Sequence, residues 1–161
     1  MTEPVKHATF TIERTYPVPP EKVFAAFSGP KTKQRWFADK PGWTTRGYSL
    51  DFRVGGREHS IGTAPDGKNT YANDTLYQDI VPNQRIVFAY TMEANSKRIS
   101  ASLGTIELEA ADKVTAFTFT EQAAFLEGGD GPEMRKTGWT WLFELLNSEL
   151  SGAPPPKPIA H

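Results

Sequence analysis

Val114-Thr-Ala-Phe-Thr-Phe-Thr-Glu121, then Gly128-Gly-Asp-Gly-Pro132, then Glu133 to Leu150 are the stretches whose reading decides the fold. The first alternates apolar and polar side chains at period two and reads as a strand. The second is a Gly/Asp-rich break. The third is a long helical pattern whose large apolar residues share one face. A long amphipathic helix that follows many strands needs a broad surface to lie on, and a curved antiparallel sheet supplies one. A helix held across such a sheet can trap a cavity beneath it, so a small-molecule pocket is the leading expectation.

Upstream, His7 to Tyr16 alternates at period two, with Phe10, Ile12, Arg14 and Tyr16 on one face. Pro17-Val-Pro-Pro20 ends that strand and starts a short helix, Glu21 to Ser28, where a missing N–H costs nothing. Gly29-Pro30 breaks it, and Lys31 to Phe37 reads as a second short helix ending in Trp36-Phe37. Asp39 to Gly47 reads as loop. Strand patterns follow at Tyr48 to Val54, Arg57 to Ala64, Thr70 to Val81, Arg85 to Glu93, Ile99 to Ala110 and Val114 to Glu121. Gly55-Gly56, Pro65-Asp-Gly-Lys68, Pro82-Asn83, Glu93-Ala-Asn-Ser96 and Ala111-Asp112 join them with turn chemistry, and joints this short imply antiparallel hairpins. The layout is α+β: a curved antiparallel sheet of six or seven strands, two short helices after the first strand, and a long C-terminal helix across the sheet. The expected organisation is a flexible N-terminus over 1–7, one domain over 8–150, and a disordered tail over 151–161 holding four prolines.

A chain of 161 residues suits one domain, and one this size buries roughly 70% of its unfolded surface. A formal net charge of -1 and scattered basic residues point away from nucleic acid. Zero cysteines exclude disulfides and thiol chemistry and fit a reducing, cytoplasmic setting. No apolar run approaches the ~20 residues of a membrane span, so no membrane insertion is expected. His59, with no acid at a helix-spaced offset, does not suggest a metal site, and no cofactor is expected. Neither glycine run, 55–56 or 128–131, has the spaced glycines and lysine of a nucleotide loop.

Several stretches, in order, resemble one family. Arg14-Thr-Tyr-Pro-Val-Pro-Pro-Glu-Lys-Val-Phe24 is similar to its opening strand and Pro-initiated helix, and Trp36-Phe37 to its second-helix ending. Phe52-Arg-Val-Gly-Gly56, Tyr77-Gln-Asp-Ile-Val-Pro-Asn-Gln-Arg-Ile-Val-Phe88 and Gly138-Trp139 resemble its glycine turn, Pro hairpin and last helix. Together, over residues 8 to 150, they resemble the START-like SRPBCC superfamily, in particular the branch of activator of heat-shock-protein-90 ATPase homologues. Thr120-Glu-Gln-Ala-Ala-Phe-Leu-Glu-Gly128 is similar to a stretch of bacterial members of that branch. The resemblance implies a helix-grip fold. It also implies a range of roles: carriers, cyclases and aromatases, ring-hydroxylase components and co-chaperone domains.

Parity along the strands places Phe117, Phe119 and Glu121 on one face, with Tyr90, Phe52 and His59 on the same side. On the long helix, Met134, Gly138, Trp141, Leu142, Leu145 and Leu146 share a face. Trp36, Phe52, His59, Tyr90, Phe117, Phe119, Glu121, Gly138, Trp141, Leu142 and Arg14 are therefore the candidate ligand-binding residues. Arg14 and Glu121 are charged side chains at inward positions, and pairing with each other is the simplest resolution; the alternative is that Arg14 meets an anionic ligand group. His59 is a candidate general acid–base, and Tyr71, Tyr77 and Tyr90 could orient a ligand carbonyl. Glu107 and Glu109 read as a solvated face. Gly138 costs roughly 1 kcal/mol inside a helix, and either close packing or room for a ligand would account for it. No catalytic residue can be assigned. The expected function is binding a small hydrophobic or amphipathic molecule. The alternatives are a co-chaperone-like interaction module and a polyketide cyclase- or hydrolase-type enzyme. A homodimer and a chaperone partner both stay open.

Overall fold

The computed structural model describes residues 3–159. The ends of the expected N-terminal and C-terminal segments, 1–2 and 160–161, lie outside the described residues. The strands are β1 (Lys6–Tyr16), β2 (Thr44–Leu50), β3 (Arg57–Thr63), β4 (Thr70–Val81), β5 (Arg85–Ala94), β6 (Lys97–Ala111) and β7 (Val114–Phe125). The helices are α1 (Pro20–Ser28), α2 (Pro30–Lys33), which runs into a π-helical turn over Gln34–Ala38, and α3 (Gly131–Ser151). The seven strands form one sheet in the order β1-β7-β6-β5-β4-β3-β2, and every neighbouring pair is antiparallel. Register shifts at Thr45/Gly47, Tyr77/Asp79 and Met92/Glu93 bend the sheet. This is the α+β helix-grip layout with seven strands.

Several boundaries differ from the sequence reading: β7 runs past the expected Glu121 to Phe125, β6 starts at Lys97 ahead of the expected Ile99, and both ends of β2 shift. β2 begins at Thr44 and ends at Leu50, because the β-branched Thr44-Thr45 pair takes the ladder up early. Residues 51–56 form a tight turn instead of continuing the strand. Gly55 takes φ +81°, and a Cβ on Gly56 would stand 2.1 Å from the Asp51 carbonyl oxygen, so the chain closes only with glycine there. The turn breaks the parity carried across it. In β3, Glu58 and Ser60 point inward, while His59 and Ile61 face out. The expectation that His59 lines the interior is therefore overturned. The strand's one large apolar residue, Ile61, packs outside against Gly47. Its charged residue Glu58 can turn inward because Lys33 meets it at 3.0 Å and Tyr48 and Tyr77 donate hydroxyls to it.

The face of α3 also needs correcting. Met134 is 58% exposed, while Arg135, Trp139, Phe143 and Leu146 are buried. Trp141, Leu145 and Leu146 of the expected face are buried as well, so the buried stripe is wider than expected and extends onto Arg135, Trp139 and Phe143. Under the C-terminal half of α3, Phe117–Phe143 (4.9 Å between ring centres), Phe119–Phe143 (5.2 Å) and Tyr16–Phe117 (5.2 Å) make edge-to-face contacts. The Tyr16 hydroxyl donates to the Phe143 carbonyl at 2.9 Å and ties β1 to the helix. Gly152, at φ +77°, caps α3 with its N–H on the Ser148 carbonyl. The following chain runs without helix or strand to 159, with Pro158 beside Gly42 and Ile159 against the core.

Candidate functional site

A cavity of about 150 Å³ lies under the N-terminal half of α3. Its wall combines the helix residues Gly138, Trp139, Trp141 and Leu142 with Tyr90 and Met92 of β5, Tyr71 and Asn73 of β4, and Phe37, Lys40 and Trp43. Gly138 explains part of the opening: a Cβ built there would meet nothing within 4 Å. Of the two accounts of this glycine, close packing on the sheet is excluded and open space stands.

The inner wall is a buried polar cluster. The Tyr90 hydroxyl donates to Glu121 Oε1 at 2.7 Å and accepts from Arg135 Nη1 at 3.0 Å and Trp139 Nε1 at 3.1 Å. Ser102 donates to Glu121 Oε2 at 2.8 Å. Arg135 reaches Glu121 at 3.3 Å and Ser100 at 2.9 Å, and grips Asp130 through Nε at 2.7 Å and Nη2 at 2.9 Å. Glu121 has no exposed surface, and a buried carboxylate needs this number of donors. Burial pushes the Tyr90 phenol up, against the lowering effect of the Arg135 charge. Burial works against the Arg135 guanidinium, but Tyr90, Asp130 and Glu121 outweigh it and raise its pKa. With each Arg135 nitrogen donating to a protein group, the cluster is a rigid wall.

The opposite wall comes from a turn. Lys40-Pro41-Gly42-Trp43 closes with Trp43 N–H on the Lys40 carbonyl at 3.0 Å, Pro at the second position and Gly42 at φ +83° in the third, a type II turn. It sets the Lys40 ammonium 4.0 Å from the Trp43 ring centre. Burial lowers the Lys40 ammonium to about 8.

Of the residues expected to bind ligand, Tyr90, Gly138, Trp141 and Leu142 come together on this cavity, and Glu121 lies behind it as Tyr90's acceptor. Trp36, Phe117 and Phe119 are packed into the core, and Phe52 sits on the Tyr77 and Phe24 rings, away from the cavity. His59 is on the outer face, 2.7 Å from Asp74. Ser49, His59 and Asp74 stand side by side across β2, β3 and β4, but no hydrogen bond joins Ser49 to His59 among the described residues.

The Arg14–Glu121 pair does not form. Arg14 stands opposite Phe117 and Glu121 opposite Phe10, four residues along the ladder, or roughly 13 Å at the rise of a strand. Arg14 instead donates to the Glu13 carbonyl at 2.8 Å. Glu121's true partner, Arg135, was missed, although its spacing to Gly138, Trp139 and Leu142 places it on the buried stripe. Lys40, Trp43 and Asp130 were missed too. They lie in loops, where no periodicity tells which way a side chain points.

The described residues contain no group of His, Asp and Glu side chains that could hold a metal ion, and no helix is long and apolar enough to cross a membrane.

The family described as Activator of Hsp90 ATPase homolog 1-like protein matches residues 17–151. This chain belongs to that family. A solved Rhizobium loti protein is 45% identical with a TM-score of 0.83, over 92% of this chain and 100% of its own. A putative uncharacterized protein from Rhizobium leguminosarum is 41% identical with a TM-score of 0.87, over 93% and 98%. The AHSA1-like protein of Aeromonas hydrophila, 19% identical with a TM-score of 0.70 over 96% and 99%, shares the fold. No curated protein matches.

Proposed function

We propose that this protein binds a small, largely aromatic molecule in the cavity between α3 and the sheet. The observation that carries this reading is the open space at Gly138, set between an aromatic wall and a saturated polar wall. A helix glycine that touches nothing weakens the helix without any packing in return. The size sets the class. A dry cavity of about 150 Å³ accepts benzene, whereas pockets for drug-sized ligands run to roughly 300–1,000 Å³. Single-ring compounds therefore fit better than sterols or long-chain lipids.

The test is thermal unfolding of the full chain with single-ring aromatics and with a sterol. A single-ring ligand should raise the Tm, since it binds only the folded state, and Gly138→Leu should abolish the rise. The reading fails if no single-ring compound shifts the wild-type Tm, or if Gly138→Leu shifts as much.

The family supports a second reading, a contact with an Hsp90-type ATPase. It predicts stimulated ATP hydrolysis when this chain is added to such a chaperone, and it falls if the rate does not change. A cyclase- or hydrolase-type role loses His59 from the cavity, because that residue stands on the outer face of the sheet, and retains only the tyrosines Tyr71 and Tyr90 there.

A further inference from the structure

The Lys40 ammonium is a cation on an aromatic cavity wall with no carboxylate within 4.0 Å among the described residues. Asp39 precedes Lys40 in the chain, and Asp130 lines the same cavity, but both are engaged with other groups. Asp39 accepts from the Thr45 hydroxyl, and Asp130 accepts two hydrogen bonds from Arg135. Burial alone lowers Lys40, with no neighbouring carboxylate to support its charge.

The turn that carries Lys40 is pinned in place. A Cβ on Gly42 would stand 3.1 Å from Pro65 and 3.3 Å from Pro158, so both prolines hold the turn closely. The ammonium is thus preorganised, and it contacts a ring face instead of an anion.

On the helix side the Trp141 side chain, only 6% exposed, closes the cavity. An unpaired cation on an aromatic cavity wall calls for an acceptor with negative charge. Arg135, saturated by protein groups, does not compete for it.

We propose that the natural ligand is a small aromatic carboxylic acid, its ring in the cavity and its carboxylate paired with the Lys40 ammonium. This rests on the cavity reading above. A carboxylate fits the site better than a phosphate, because one free cation matches one negative charge and the volume leaves room for little beyond a ring.

The test is calorimetric titration of the full chain with three acid and amide pairs: benzoate, phenylacetate and cinnamate, each against its neutral amide. At least one acid should bind about tenfold more tightly than its amide, the scale of one partly buried ion pair. Lys40→Met should bring that ratio to about one, and Lys40→Arg should keep part of it. Unfolding curves check that both variants fold. Equal binding of acid and amide, or a ratio that survives Lys40→Met, overturns the proposal while leaving the cavity reading intact. If neither acids nor amides bind, the proposal and the cavity reading fall together.

Discussion

The C-terminal half of α3 and its N-terminal half roof the same sheet in opposite ways. Beneath the first, Phe143 interlocks with Phe117 and Phe119, ring centres 4.9 and 5.2 Å apart. Beneath the second, Gly138 faces open space and the wall behind it is a network of charges and hydroxyls. The filled half is built like an ordinary core, in which rings offset their lost freedom through area and edge contacts. The open half gives up packing and is held in shape by polar contacts instead. The two halves divide the work: one holds the helix to the sheet, the other keeps a cavity open without collapse.

The largest effect should come from breaking the polar wall. Arg135→Met leaves Glu121 and Asp130 without their cation, and losing one partner of a buried pair costs about 3–5 kcal/mol. The double variant with Glu121→Gln should lose less than Arg135→Met alone, because the stranded charge is gone. Urea unfolding of the single and double variants measures this, and additive losses would show that the two side chains are not coupled.

Two glycines give the sharpest contrast. A Cβ on Gly104 would stand 2.6 Å from the Phe88 ring. That ring cannot retreat, because Tyr77, Tyr90, Phe119 and Trp139 surround it. Gly104→Ala should therefore destabilise by about 1–3 kcal/mol through overpacking. Gly138→Ala should do the reverse and stabilise by up to about 1 kcal/mol, since the new methyl meets nothing and the helix gains propensity. Each kcal/mol moves the Tm by about 2–4 °C at this chain length, so opposite shifts are the expected reading. A loss at both positions would mean that the space at Gly138 is not there.

The smallest effect concerns pH. The folded state holds the Lys40 ammonium near 8, below the ordinary lysine value of about 10.4. Between those values the unfolded chain carries the extra proton, so this residue makes stability rise with pH across that window and adds no slope below it. Lys40→Met should remove that part of the slope. An unchanged pH profile in the variant would show that Lys40 is well solvated.

Much of the architecture was legible because periodicity reports on regular elements. The strand patterns of β4 and β7 and the stripe of α3 place those elements within a few residues of their observed ends. Faces were harder wherever a strand lacked an apolar majority. β3 has one large aliphatic residue, Ile61, and it lies outside, so its pattern pointed the wrong way and took His59 with it. Charge pairing was legible as a need but not as a partner. Glu121 at an inward position required a cation, but only strand register shows Arg14 to be too far and only helix rotation brings Arg135 under the roof. The turn carrying Lys40 and Trp43 was readable from Pro41-Gly42 as a turn, but not as a cavity wall, because long-range packing against Pro65 and Pro158 decides where a loop points.

The most direct test of the cavity is a nuclear magnetic resonance titration of the isotope-labelled full chain with a single-ring aromatic that raises its Tm. The account predicts saturable shifts centred on Gly138, Tyr90, Trp141 and Leu142, with the signals of Phe117 and Phe143 little changed. Shifts centred on the filled half, or scattered over the outer face around His59, would contradict it.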